Sequence, residues 1–377
     1  MKILLLRNMG DQINIHNYNV QEIGLAKALV KRGHQCDIVL YSLHDKFRTE
    51  KVYIEDEKYI TLYWVKGINI YYNSIFLKLI RNKFFDNYDI IQTHEYNQLM
   101  TFILPYITKS KLVIYHGPYQ DIRNKAVHGL FDRLFLASIR KNYPYVIAKS
   151  VLSQKYLLKK GFKKVNVLGV GLDQNRFKAT QTLNGSLREF YLKCRGNYPV
   201  LVYVGSFCRW KNTPFLLEIS KELKKKLDFR LLIISNGAGE YKEEFFNKVK
   251  ELHLENNIHY VEKVNQQEIS SIYTNSDLLL LPSIYEIFGM VLLESLYFDC
   301  PILTSYNGGS SVLLDNAYPE MIMKDFDAEK WADRIIFLLK NKEKYKLREY
   351  VNSYFTWESI SEQFENKYLE VIGFNNK

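Results

Sequence analysis

Two glutamates, two cations and two histidines stand where the surrounding sequence gives them chemistry to do. Glu286 and Glu294 lie within residues 277–311, DLLLLPSIYEIFGMVLLESLYFDCPILTSYNGGSS. An apolar run ends at Pro282, Val291 to Tyr297 has helical apolar spacing, and Pro301 to Thr304 restarts an extended run that Gly308 and Gly309 close. Glu286 therefore sits in the loop ahead of the helix that Phe288 and Gly289 open, and Glu294 falls about a turn and a half inside it. Both carboxylates can face one ligand. Between them the amides of Gly289, Met290 and Val291 would point out of the helix N-terminus, where unpaired donors and partial positive charge suit an anion or a sugar hydroxyl.

Arg209 and Lys211 follow the apolar strand Val200–Val204 and precede Thr213 and Pro214, which read as N-cap and first helical position. A loop at the carboxyl end of a strand and ahead of a helix is where a diphosphate would be held. Two histidines end strands in the first half. His94 closes Tyr88 to Thr93, and His116 closes Lys111 to Tyr115 ahead of Gly117 and Pro118. Both would line a cleft, and an imidazole near neutral pH can donate or accept a hydrogen bond there. Each of these features has a plainer reading: a solvated glutamate pair, two surface charges beside Trp210, a structural histidine at a strand end. Their shared position at strand ends favours chemistry.

The elements that position them repeat one rhythm twice. Residues 2–7 form a strand, a polar loop with the single glycine Gly10 runs to about Tyr18, and Val20 to Leu29 repeat at helical spacing up to Gly33. Cys36 to Tyr41 is the next strand. This opens a doubly wound parallel sheet, whose ligands bind at the carboxyl ends of strands; with no GxGxxG, a dinucleotide site is not indicated. Residues 1–177 are expected to form one Rossmann-like domain, 178–198 a linker, 199–355 a second such domain, and 356–377 a terminal helix. In the second domain Phe229 to Ile234 leads into the loop Asn236-Gly237-Ala238-Gly239, and Asn265 with Glu268 makes a capping-box start for a helix to Asn275. Ser74 to Phe85 reads as a basic amphipathic helix, and His128 to Tyr143 as a second one.

The pattern P-S-x-x-E-x-F-G-x-x-x-x-E resembles the Glu-x7-Glu signature of the retaining GT-B glycosyltransferases of family four, which use nucleotide sugars. The resemblance extends to the loop holding Lys211, to K-L-V-I-Y-H-G at 111–117, and to G-x-D-x-x-x-F at 171–177. It implies two Rossmann-like domains facing a central cleft, an α/β fold. It also implies that Glu286 contacts the transferred sugar, that Glu294 bonds the nucleotide ribose, and that His116 approaches the donor sugar. Phe288, Gly289, Met290, Val291, Arg209, Lys211 and Gly237 would complete the donor site, with Gly10 and His94 on the acceptor side. Three departures stand out. Ser206 occupies the slot where relatives carry Arg, so Arg209 is a displaced substitute; the loop after the first strand holds one glycine, where relatives often have two; and Phe298-Asp299-Cys300 replaces a glycine turn.

Retaining transfer would stabilise the leaving diphosphate with fixed cations and helix amides, without a metal. Asp325-Phe326-Asp327 mimics an Asp-x-Asp metal motif, yet Asp327 is well placed to cap the helix that follows. Neither metal nor cofactor is expected; the nucleotide sugar is a substrate, and the acceptor a saccharide or a lipid-linked one. Cysteines 36, 194, 208 and 300 show no paired or metal-ligand spacing and read as reduced thiols of a cytoplasmic protein. No apolar run nears the ~18 residues of a spanning helix. Net charge is +11 and uneven: residues 1–180 carry 28 Lys and Arg against 14 Asp and Glu, while residues 181–377 carry 24 against 27. The basic half suits an anionic membrane surface or an acidic acceptor, or is compositional drift in a Lys- and Tyr-rich chain. The 29 tyrosines form no nucleic-acid motif, so nucleic acid is not an expected partner. The competing readings are a nucleotide-sugar epimerase of the same fold and a non-catalytic basic binding module; the first does not need Glu286 in this context, and the second does not need the anion loop.

Overall fold

The computed structural model describes residues 1–377 except 16–19, 45, 56, 122–124, 178–182, 184, 237–239 and 374–377. The chain divides into two compact units, Met1–Gly171 with Thr356–Lys377, and Leu172–Phe355.

The first unit holds strands β1 (Lys2–Leu6), β2 (Gln35–Ser42), β3 (Phe47–Glu55), β4 (Lys58–Lys66), β5 (Ile68–Ile70), β6 (Asn73–Ile75), β7 (Ile90–His94), β8 (Lys111–His116), β9 (Tyr145–Ala148) and β10 (Lys164–Val167). Its main sheet has the order β10-β9-β8-β7-β1-β2-β4-β3, parallel except for the edge strand β3, which turns back antiparallel on β4. Strands β1, β2 and β7 are buried along almost their whole length, as a parallel sheet covered on both faces requires. From β1 the chain winds out through β2 to β4, then returns to β7 and winds the other way. The switch point lies between the carboxyl ends of β1 and β7. β5 and β6 form a separate hairpin fastened to the loop after β1: the Gly10 amide donates to Tyr72 O at 2.9 Å and Asn69 Nδ2 donates to Gly10 O at 2.7 Å.

The second unit repeats the plan with β11 (Val200–Val204), β12 (Arg230–Ile234), β13 (Ile258–Val261), β14 (Leu278–Leu281), β15 (Ile302–Ser305) and β16 (Ile322–Met323). The order is β13-β12-β11-β14-β15-β16, and every pair is parallel. Its switch point lies between the ends of β11 and β14. Leucines fill β14 and are wholly buried, the continuous apolar run of a central parallel strand.

Three expected elements differ. Within the expected linker 178–198, residues 178–182 and 184 lie outside the described residues, and helix Gly185–Cys194 packs into the second unit, burying Leu187, Phe190 and Tyr191, with the Tyr191 hydroxyl bonding Ser276 Oγ at 2.8 Å. The boundary falls before Leu172 because Phe177 packs on Tyr297 and Phe298, with ring centroids 5.8 and 5.1 Å apart, inside the second unit. Ser74–Phe85 is not one helix. Its first residues pair in β6, Leu77–Arg81 make five helical residues, and Lys83 turns left-handed at φ 51°. The apolar face drives this break, since Phe76, Leu79 and Phe85 all reach the core of the first sheet, and Lys78 lies over the Phe47 ring. The terminal helix Trp357–Ile372, capped by Thr356 and Ser359, belongs with the first unit, where Tyr368 donates to Gln92 Oε1 at 2.7 Å. Among the described residues no helix is long and apolar enough to cross a membrane.

Candidate active site

In the second unit the chemistry gathers at the switch point. β11 delivers a short 3-10 turn, Arg209–Lys211, and β14 delivers the loop carrying Glu286. The two loops are laced together, because Trp210 O accepts the amides of Ile284 at 2.8 Å and Tyr285 at 3.3 Å. Lys211 Nζ pairs with Glu286 Oε2, and both side chains keep a solvent face, 20% and 15% exposed. Arg209 is exposed and has no side-chain partner among the described residues. Asn212, left-handed at φ 52°, caps the following helix one residue earlier than expected, so Thr213 is its first residue and Pro214 its second. Moving the cap to Asn212 exploits a residue type that tolerates the left-handed region.

Gly289, at φ 71°, caps helix Met290–Tyr297. The amides of Gly289, Met290 and Val291 donate to none of the described residues. A Cβ on Gly289 would come within 2.8 Å of Glu286 Cγ, and one on Gly309 within 1.7 Å of Phe288 O. Glycine at 309 is what lets the loop after β15 close on the Glu286 loop, where the Gly308 amide donates to Glu286 O at 2.9 Å. Phe288 and Met290 are buried beneath this surface. Glu294 is only 2% exposed, and its Oε1 has no hydrogen-bond partner among the described residues. Burial without compensation pushes its pKa well above the ordinary carboxylate range. Such an orphan costs free energy unless a ligand satisfies it. Gly237 lies outside the described residues.

The first unit has its own cluster at its own switch point. His116 is 1% exposed, with Nδ1 2.5 Å from Glu95 Oε2 and its ring stacked on Tyr156. Glu95 also accepts the Gly117 amide at 3.2 Å and holds a left-handed backbone at φ 56°. Burial raises the Glu95 pKa, but His116, Lys149 and His94 outweigh it and bring it down to about 2. His94 Nε2 lies 3.3 Å from Glu22 Oε1. Its pKa falls to about 4, chiefly by burial, with Lys149 adding to the fall and Glu22 opposing it. Gly10 lies on the loop after β1, where Asn69 fills the space a Cβ would need. Glu95, Glu22, Arg7 and Lys149 were not legible as site residues. Each sits one step beyond a strand end or in a helix first turn, and only the sheet order brings them together.

Asp327 accepts the amides of Glu329 and Lys330 and caps helix Ala328–Asn341, as its position implied, while Asp325 pairs with Lys330. Among the described residues no group of three His, Cys, Asp or Glu is placed to hold a metal ion. A cavity of about 620 Å3 beside β16 is lined by Met323, Asp325, Arg334 and Phe337, and none of the candidate site residues reaches it.

Solved structures share this architecture over the full chain. Sucrose-phosphate synthase of Thermosynechococcus elongatus superposes with a TM-score of 0.72 at 18% identity, covering 100% of both chains. HepE of Anabaena, solved in complex with UDP and glucose, gives 0.71 at 17% identity, covering 97% of this chain and 99% of that one. The fold is GT-B, the α/β class of paired Rossmann-like domains. Residues 189–354 match the model for glycosyl transferases group 1, and residues 23–176 match that for glycosyltransferase family 4. The chain belongs to the family-four glycosyltransferases. Among curated relatives, N-acetyl-alpha-D-glucosaminyl L-malate synthase of Bacillus anthracis is 24% identical over 92% of each chain.

Proposed function

We propose that this glycosyltransferase moves a hexose-type sugar from a nucleoside diphosphate donor to a saccharide or lipid-linked acceptor, with retention at the anomeric carbon, in surface polysaccharide or glycolipid assembly. One observation carries the donor assignment: the Lys211–Glu286 pair joins the loops after β11 and β14, and the helix that follows the Glu286 loop carries three amides without a partner among the described residues and the buried Glu294, whose Oε1 is likewise unpartnered. Open α/β sheets bind ligands at that position. In this reading Lys211, Arg209 and the helix amides hold the diphosphate, Glu294 takes the ribose hydroxyls, and Glu286 positions the sugar and supports positive charge growing at its anomeric carbon. The UDP bound to HepE supports a uridine nucleotide as the first candidate.

The reaction breaks the bond between the anomeric carbon and the diphosphate oxygen, and forms one from that carbon to an acceptor hydroxyl oxygen. The acceptor proton leaves with the nucleoside diphosphate, whose phosphate oxygen takes it on the same face of the sugar. Fixed cations and amides meet the charge on the leaving group, so no divalent ion is assigned. His116, oriented by Glu95, bonds the sugar or a reacting oxygen.

The test is a thermal-shift screen against UDP, GDP, ADP and CDP. A ligand at a hundred times its Kd stabilises by about 2.7 kcal/mol. One nucleotide should raise the melting temperature selectively and fail to do so in Glu294→Ala. EDTA should leave the shift unchanged. No shift with any nucleotide from folded protein overturns the donor assignment.

A further inference from the structure

The His116 imidazole lies against two tyrosine rings. Tyr156 stacks on it with centroids 6.0 Å apart and planes 14° from parallel, and Tyr96 leans on it at 5.1 Å and 55°. Helix Val151–Lys159, capped by Ser150, supplies Tyr156 and, three residues earlier, Ser153, whose Oγ donates to His116 O at 3.2 Å. Residues three apart share a helix face. One turn of this helix thus holds His116 twice, by its carbonyl and by its ring.

The hydroxyls of the two tyrosines form a directed chain. Tyr156 Oη donates to Asp121 Oδ1 at 2.7 Å, and Tyr96 Oη lies 3.1 Å from Tyr156 Oη. A phenol has one proton to give, and the carboxylate takes that of Tyr156, so Tyr96 is the donor within the tyrosine pair. Burial pushes the Tyr156 pKa up to about 12, which keeps that proton in place at neutral pH. Lys160 secures the far end of the chain. Its Nζ pairs with Asp121 at 3.6 Å and with Asp132, and lies over the Tyr156 ring, 5.2 Å from the centroid.

This chain constrains the plane of the imidazole. Glu95 touches Nδ1 and so restrains one point of the ring, whereas the terminal torsion of a histidine side chain is broad and roughly two-fold. The other nitrogen, Nε2, is buried and has no hydrogen-bond partner among the described residues. Its direction follows from the rings that flank it. We infer that Tyr156, anchored through its hydroxyl by Asp121, is a positioning residue for His116, fixing the imidazole plane and with it the direction of Nε2. What Nε2 meets, a sugar hydroxyl or a reacting oxygen, rests on the transfer reading above; the positioning stands on the geometry of the first unit alone.

Carbon-13 relaxation of the His116 ring tests this in histidine-labelled full-length protein without nucleotide, the signal being assigned by its loss in His116→Gln. The order parameter of the Cε1–H bond should be near that of rigid backbone in the wild type, about 0.85, and fall below about 0.6 in Tyr156→Leu. Tyr156→Phe keeps the ring and loses the anchor, and Asp121→Asn weakens the anchor alone; both should lie between. They carry the test if Tyr156→Leu does not fold. With UDP-glucose as the donor probe, Tyr156→Leu should lower kcat by about tenfold at unchanged KM, as a misplaced catalytic group does. Three results overturn the inference: a His116 ring as rigid in folded Tyr156→Leu as in the wild type, Tyr156→Phe and Asp121→Asn both equal to the wild type, or a rise in KM with kcat held. A general packing role would lower the melting temperature and leave the ring rigid. Because ring order is read without nucleotide, it decides the positioning even where UDP-glucose is not turned over, so failure of the donor assignment and failure of the positioning are distinguishable.

Discussion

Glu294 is a buried carboxyl whose Oε1 has no hydrogen-bond partner among the described residues. It lies on a helix whose other buried residues are mostly apolar, Met290, Leu292, Leu293 and Leu296. Because folding raises its pKa from the ordinary 4.5, the protonated form is what the folded chain favours. The stability tied to that proton is complete below the ordinary value and is lost as pH rises through the folded one, by at most about 1.4 kcal/mol per pH unit. Glu294→Gln stays neutral at every pH. In urea unfolding it should gain on the wild type as pH climbs from about 4 to 8, and a constant difference across that range would show the carboxyl to be solvated. Glu95 runs the opposite way. Lowered to about 2, its stabilising charge is present above the ordinary Glu value and is lost only as pH falls toward 2. Its carboxylate lies against His116 Nδ1, where it would position the imidazole. With the donor that the nucleotide screen selects, Glu95→Gln should reduce turnover on the order of tenfold, about 1.4 kcal/mol in the transition state, while nucleotide Kd stays as it was. A change in Kd instead would mean that Glu95 acts on the fold and not on the imidazole.

At the scale of elements, the turn between helix Met290–Tyr297 and β15 replaces a glycine with a device of its own. Asp299 sits left-handed at φ 56°, and its Oδ1 accepts the Arg348 amide at 2.8 Å while Arg348 Nε donates to Tyr297 O at 3.0 Å. The side chain thus caps helix Leu347–Tyr354 and offsets the strain of its own backbone, which for most residues is roughly 1–2 kcal/mol. Asp299→Ala loses the bond and keeps the strain, so it should destabilise by about 1–2 kcal/mol in chemical denaturation. Asp299→Gly relieves the strain as it loses the bond and should come within about 0.5 kcal/mol of wild type; equal losses for both would remove the backbone from the account. The sequence announced that this turn was unusual but not how it was built, since Arg348 is remote in the chain. The same limit governs the site. The strand-helix-strand around Glu286 and Glu294 was readable because local apolar periodicity specifies it, and so was the capping box at Asn265, which the structure contains. The break at Lys83 was not readable, because Phe76 and Phe85 answer to a sheet assembled from distant segments. Glu22, Glu95 and Lys149 were hidden for the same reason.

At the scale of the whole molecule, charge and exposed apolar surface converge on one stretch of the first unit. Helical residues 125–142 leave Val127, Leu130 and Leu134 exposed, with Lys125, Arg133, Arg140 and Lys141 exposed among them. An amphipathic helix of this kind lies in a bilayer interface with its leucines toward the acyl chains, and each cation near an anionic surface adds about 1 kcal/mol. The excess of basic residues in the first 180 would give the same half of the chain a long-range attraction to such a surface. Peripheral attachment at a cytoplasmic leaflet would bring a lipid-linked acceptor to the enzyme. Liposome flotation separates the contributions. Wild type should float with vesicles rich in phosphatidylserine and stay down with neutral ones, and raising salt from about 0.1 to 0.5 M should weaken flotation as the Debye length shrinks. Leu130→Ser with Leu134→Ser should abolish flotation at low salt while sparing nucleotide binding, because these side chains are exposed and bury no core. Flotation that survives the leucine substitutions would make the contact purely electrostatic, and equal failure with both lipid compositions would remove the membrane from the function.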